Sequence, residues 1–205
     1  MFYLIYGFLY LVSLLPFWVL YRISDFAYVL IYYVFGYRKE VVMANLTLAF
    51  PEKNYEEKKL IAKKFYRNFT DNFIEIIKLL SISKKQLQKR FAGEAYNINE
   101  YYSTGRNVQV HLGHFFNWEY ANLSMGLKIK YRLLVVYMPI TNAAMDKVFY
   151  KMRSRFHSKL IAATSYLKEF RQYRRERFSL VFVYDQSAGN TEQAYWLPFF
   201  GKLTN

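Results

Sequence analysis

Beyond residue 107 the chain alternates short apolar runs with helix-like segments, and that alternation leaves few folds open. The runs are VQVHL at 108–112, YRLLVVYM at 131–138, LIAAT at 160–164 and SLVFVYDQ at 179–186. Between them lie helical patterns at 117–126 and 142–156 and a basic one at 166–177. Such alternation predicts an α/β domain with a largely parallel sheet flanked by helices. Functional groups of these sheets gather outside the carboxyl ends of the strands. His114 falls there after the first strand, Thr141 and Asn142 after the second, and Asp185, Gln186 and Ser187 after the last.

Residues 108–120, VQVHLGHFFNWEY, carry the sharpest signal. Histidine is the side chain suited to accept a proton near neutral pH. A histidine base needs a partner, usually a carboxylate, to fix its tautomer and oppose the charge that forms. Five residues of helix turn through about 500°, so His114 and Glu119 would share no helix face. They meet if His114 lies in the turn after a strand and Glu119 in the first turn of the next helix. The prediction is a His114–Glu119 dyad across that turn, with backbone N–H groups near Asn117 as oxyanion donors. The same residues also fit a hydrogen-bonded core histidine and an acid favoured by a helix amino end. The gathering of polar residues at the strand ends favours the dyad.

Other chemistries find less support. The chain has no cysteine, which excludes thiolate catalysis and cysteine zinc sites. No G-x-S-x-G elbow offers a serine nucleophile. His111 and His114 would point to opposite faces of a strand, His157 is distant, and no carboxylate cluster completes a ligand set, so no metal site is predicted.

The first 21 residues contain no charged side chain, and about 20 apolar residues can span a bilayer as a helix. A second uncharged run, 26–37, is too short to span alone, with Arg22 and Asp25 between the two. The first run lacks the basic start and small-residue cleavage site of a signal peptide. Pro16 and the tyrosines suit a tilted or interfacial helix. Nearly all Lys and Arg follow it, which would put the body on the cytoplasmic side. Residues 1–37 are therefore expected to anchor the chain to a membrane, and 38–205 to form the globular domain. The formal charge of +14 and the 21% aromatic content fit an anionic membrane surface; no nucleic-acid motif accompanies them. A helix is expected over 54–80, where Phe65, Phe69, Phe73, Ile76, Ile77 and Leu80 recur at spacings of three and four. Lys84, Lys85, Lys89 and Arg90 form a solvated basic face or a headgroup contact.

HFFNWE at 114–119 resembles the His-x4-acid motif of membrane glycerolipid and lipid A acyltransferases. More closely, the chain resembles the bacterial lipid A biosynthesis acyltransferases of the lauroyl/myristoyl transferase type, above all their Bacteroidetes members. SLLPFWVLYRISD, GYRKEVVMANLTLAFPEK, GHFFNWEY, MPITNAAMDKVFYKMRSRF and DQSAGNTEQAYWLPFFGKLTN carry the likeness in collinear order. The resemblance implies a glycerolipid acyltransferase-like fold in the bacterial inner membrane. It implies transfer of an acyl chain from acyl carrier protein or CoA to a hydroxyl of a lipid A precursor, with no cofactor. His114 would be the base and Glu119 its orienting acid. Arg153 and Arg155 would grip lipid phosphate, or else form an exposed basic helix end. Asp185 and Gln186 match the third motif, where a turn role is the alternative. Trp196, Phe199 and Phe200 would line an acyl groove or simply pack as core.

The chain departs from the family at Phe116, where Gly is usual, and at Ala188, where Pro is common. Family members continue with further sheet and helix beyond the third motif, so the chain reads as C-terminally truncated. An inactive lipid-binding remnant and an acyltransferase for another lipid or aminolipid are the competing readings.

Overall fold

Parallel pairing organises the computed structural model, which describes residues 1–92, 96–115, 117–186 and 191–205. The departures at Phe116 and Ala188, and the polar candidate Ser187, lie outside the described residues. The helices are α1 (Phe2–Leu14), α2 (Phe17–Val29), α3 (Lys39–Ala49), α4 (Tyr55–Lys78), α5 (Lys84–Arg90), α6 (Tyr96–Glu100), α7 (Trp118–Lys128), α8 (Ala143–Arg153) and α9 (Tyr166–Phe170). The strands are β1 (Val108–Leu112), β2 (Arg132–Tyr137), β3 (Lys159–Ala162), β4 (Phe178–Val183), β5 (Leu197–Phe199) and β6 (Lys202–Thr204). The chain thus adopts the α/β class, with a parallel sheet flanked by helices and an apolar helix near the N-terminus. It forms two compact units, one from Met1–Ser13 with Leu79–Asp185, the other from Leu14–Lys78 with Gln186–Asn205.

The first unit holds the four-stranded sheet, ordered β1-β4-β2-β3, with every pairing parallel. Alternate residues serve opposite faces, as the pleat requires. Leu133, Val135, Leu160 and Val181 pack with Met125 and Ile129 from α7 and its exit. Leu134, Ile161, Phe178 and Leu180 pack with Tyr166, Phe170 and Tyr173 on the other face. Burial on both faces is why these strands read as nearly unbroken apolar runs. The basic helix expected over 166–177 is shorter: α9 ends at Phe170 and a single 3-10 turn, Arg171–Tyr173, follows.

In the second unit, α4 starts where Asn54 and Glu57 cap each other, Glu57 N–H donating to Asn54 Oδ1 (3.0 Å) and Asn54 N–H to Glu57 Oε2 (2.9 Å). Its buried positions include Lys58, Ala62, Tyr66, Thr70, Ile74 and Lys78, a strict four-residue stripe. The phenylalanines that made this segment read as amphipathic lie beside that stripe, with Phe65 and Phe73 exposed. Three of the polar side chains on the buried stripe have hydrogen-bond partners. Tyr66 donates its hydroxyl to the Tyr37 carbonyl, and Thr70 donates to the carbonyls of Tyr66 and Arg67. Lys78 donates its ammonium to the Leu15 carbonyl (2.8 Å), and burial lowers its pKa. Tyr28, Tyr32 and Tyr66 form an aromatic core here. β5 and β6 form an antiparallel hairpin through Phe200 and Gly201, both at positive φ, as a two-residue turn of this twist needs.

The uncharged run 1–21 is not one helix. α1 stops at Leu14 and α2 begins at Phe17, because Pro16 has no N–H to continue the ladder and its ring crowds the preceding turn. Among the described residues, the helix long and apolar enough to cross a membrane is instead Phe17–Val34, 18 residues, the last turn of which is π-helical. It contains Arg22 and Asp25, which pair at 3.3 Å.

Among the described glycines, Gly126 on α7 meets the closest backbone: a Cβ there would lie inside the Phe156 carbonyl oxygen and 3.0 Å from Ser158 Oγ. Gly126→Ala should cost about 1–3 kcal/mol through overpacking, measured by denaturant unfolding in detergent. Gly7→Ala, where nothing lies within 4 Å, should leave stability unchanged or slightly raised.

Candidate active site

The site begins at the carboxyl ends of β1 and β4, which are adjacent in the sheet. Their register sets Leu112 opposite Val183, and the ladder runs one step further, with Tyr184 N–H donating to the Leu112 carbonyl (3.3 Å). Two residues beyond each strand end, His114 and Asp185 come together. His114 Nδ1 lies 2.6 Å from Asp185 Oδ1, and the His114 backbone N–H donates to Asp185 Oδ2 at 2.7 Å. One carboxylate therefore holds both the ring and the main chain of the same residue.

That contact assigns the proton. A carboxylate beside Nδ1 calls for the Nδ1–H tautomer, which leaves the Nε2 lone pair free to accept a proton. The hydrogen bond from the His114 ring, aided by the one from its backbone, holds the Asp185 carboxyl below the usual carboxylate range. Trp118 packs its ring edgewise on the imidazole at 4.9 Å between centroids. Gly113 makes the approach possible, since a Cβ there would stand 2.8 Å from Asp185 Oδ2.

Glu119 is elsewhere engaged. It lies in the first turn of α7, where the sequence placed it, but Arg153 takes both its oxygens. Arg153 Nε donates to Oε1 (2.9 Å) and Oε2 (3.1 Å), and Nη2 to Oε1 (2.6 Å). The pair is nearly enclosed, with the side chains 3% and 18% exposed. The carboxylate that touches His114 is thus Asp185. Asp185 reaches the ring across a strand pairing, whereas Glu119 points from α7 to α8. The same bonds commit Arg153, expected to grip lipid phosphate. Arg155 is committed as well, donating through Nη1 to the Leu79 carbonyl and through Nη2 to the Ile82 carbonyl (2.9 Å).

Asn117 caps α7, its Oδ1 accepting from Tyr120 N–H (3.3 Å), and is buried. Asn142, at the end of the loop after β2, caps α8 by accepting from the N–H groups of Ala144 and Met145 (both 3.1 Å). Gln186 is exposed and falls in the other unit. Trp196, Phe199 and Phe200, on and around the β5–β6 hairpin, are exposed rather than packed as core. Among the described residues, no three metal-ligating side chains cluster.

The structure is thus a parallel α/β sheet that carries an imidazole–carboxylate pair beyond its strand ends. All of residues 1–205 match the family model described as bacterial lipid A biosynthesis acyltransferase. The chain belongs to that family, and its activity is of the lipid A acyltransferase type. No curated protein matches it.

Two outcomes follow from this geometry. Arg153→Met should cost about 3–5 kcal/mol because it strands a buried carboxylate, and Glu119→Gln in the same chain should recover much of that loss; denaturant unfolding of both variants measures it. The Asp185 grip has a defined pH window. With its folded pKa depressed, Asp185 adds stability fully above the ordinary Asp range, about pH 4, and loses it as pH falls through the folded value. The difference in unfolding temperature between the parent and Asp185→Asn should therefore be largest near neutrality and shrink in acid.

Proposed function

We propose that the chain transfers a fatty acyl group from the thioester of acyl carrier protein or CoA to a hydroxyl of a lipid A precursor. The site of action is the cytoplasmic face of the bacterial inner membrane, with the apolar helix Phe17–Val34 as anchor. The observation that carries the reading is the two-point hold of Asp185 on His114, in a chain of this family.

His114 Nε2 removes the proton from the acceptor hydroxyl as its oxygen attacks the thioester carbonyl carbon. The C–O bond forms, the carbonyl becomes an oxyanion, and backbone N–H groups at the amino end of α7, next to Asn117, stabilise it. Collapse breaks the C–S bond, and the imidazolium returns its proton to the departing thiolate. Ester and free thiol leave with the base restored, and no acyl-enzyme is required. Asp185 keeps Nε2 aimed and opposes the positive charge that develops on the ring. Glu119 serves as a positioning residue: locked to Arg153, it fixes α7 to α8 and so sets where the oxyanion donors stand.

Acyl transfer in detergent, with acyl carrier protein and CoA thioesters and a mixture of lipid A precursors, tests the reading. His114→Ala should lower the rate by about 10²–10⁴-fold, and Asp185→Asn by about 10²-fold or more with precursor binding preserved. Gly113→Ala should behave like Asp185→Asn, since its methyl displaces the carboxylate. Full turnover by His114→Ala would remove the imidazole from the mechanism.

A further inference from the structure

At the opposite end of the sheet, the first unit has a cavity of about 550 Å³ lined by Tyr102, Lys130, Tyr131, Arg132, His157, Glu176 and Arg177. It opens where β2 and β4 begin. Arg177 precedes β4 and Asp185 follows it, about 25 Å away along an extended strand, so the cavity is separate from the His114 site. Its volume falls in the range of small-molecule sites.

The cavity walls are fixed by hydrogen bonds. Lys130 N–H donates to Asn99 Oδ1 (2.8 Å), and the Tyr131 hydroxyl donates to the Arg106 carbonyl (3.1 Å). Arg132 N–H donates to the Arg177 carbonyl (3.1 Å). Arg177 Nη1 donates to the Tyr102 carbonyl (2.9 Å), and the guanidinium lies 5.1 Å from the centre of the Tyr102 ring. Three permanent cations face one carboxylate, Glu176, which holds Arg132 through Nε (2.8 Å). The remaining N–H groups of Arg132 and Arg177 and the Lys130 ammonium have no partner among the described residues. Protein of this charge lining a concave surface attracts an anion.

His157 adds a second, independent sign. Its φ is +71°, a left-handed conformation that costs a non-glycine residue energy. Residues in such conformations cluster at binding and active sites, and His157 is one of those lining the cavity.

We propose that this cavity is a second binding site, for the phosphate group of a phosphomonoester. Arg132 and Arg177 present planar donor forks suited to phosphate oxygens, Lys130 supplies a point charge, and His157 donates from its ring. The phosphate belongs to a soluble metabolite or to a lipid headgroup, two sources that share this chemistry. The inference stands independently of the acyl-transfer reading.

The test titrates the full chain in detergent with glycerol 3-phosphate, followed by phosphorus NMR and by the unfolding temperature. A parallel arm places the chain in phosphatidylcholine vesicles with and without phosphatidic acid. Saturable binding is expected in one arm. Lys130→Glu, at an exposed side chain, should weaken it about tenfold or more. Glu176→Gln, which removes the competing carboxylate, should tighten it. His157→Gly should weaken binding while raising the unfolding temperature in the absence of ligand, because glycine relieves the strained φ; a purely structural histidine would not couple those two changes. Binding of glycerol 3-phosphate assigns the soluble source, and variant-sensitive binding of phosphatidic acid alone assigns the lipid. Absence of saturable binding in both arms, or binding indifferent to Lys130→Glu and Glu176→Gln, overturns the proposal.

Discussion

The hold on His114 depends on which strands are neighbours. His114 and Asp185 are 71 positions apart in sequence, and they meet because β4 is inserted next to β1 in the order β1-β4-β2-β3. Parallel strands in register deliver their following loops to the same edge, so residues at equal distance past each strand end face one another. Leu112 opposite Val183 fixes that distance. Packing on both faces then keeps the register, since a slip by one residue would turn each apolar side chain to the wrong side.

Much of this was legible in the chain. Alternation from residue 108 onward identified the parallel sheet, and the strand ends identified His114 and Asp185 as neighbours of a common edge. Which carboxylate touches the imidazole was not legible, because it depends on strand order, and strand order leaves no mark on local spacing. Glu119 sits at the expected place in α7, yet its partner comes from α8, a contact that only tertiary packing creates. Arg153 and Arg155 illustrate the same limit: a basic pair at a helix end looks free in sequence and is engaged by a carboxylate and by carbonyls in the fold. Gly113 carried a signal that could have been read, as a glycine between a strand and a candidate base often marks close approach of another group.

The N-terminal region shows local chemistry overriding composition. Twenty-one uncharged residues read as one tilted or interfacial helix, but Pro16 divides them into two, and carbonyls at the break are taken up by specific donors. Ser81 Oγ donates to the Ser13 carbonyl (2.7 Å) in the first unit, and Lys78 does the same for Leu15 in the second. A helix end that would otherwise leave unsatisfied backbone in an apolar setting is completed by side chains far along the chain. This also accounts for Lys78 on the buried stripe of α4, a position that hydropathy alone would have assigned to the surface.

Asp185 closes on His114 like a clamp with two jaws, one on the ring and one on the main chain. Rotating the imidazole opens only the first, whereas shifting the loop opens both. The direction of the Nε2 lone pair is therefore not an independent property of a side-chain rotamer. It is set by the offset between two strands, so displacing β4 along β1 by a single residue would leave the ring facing a position that carries no carboxylate.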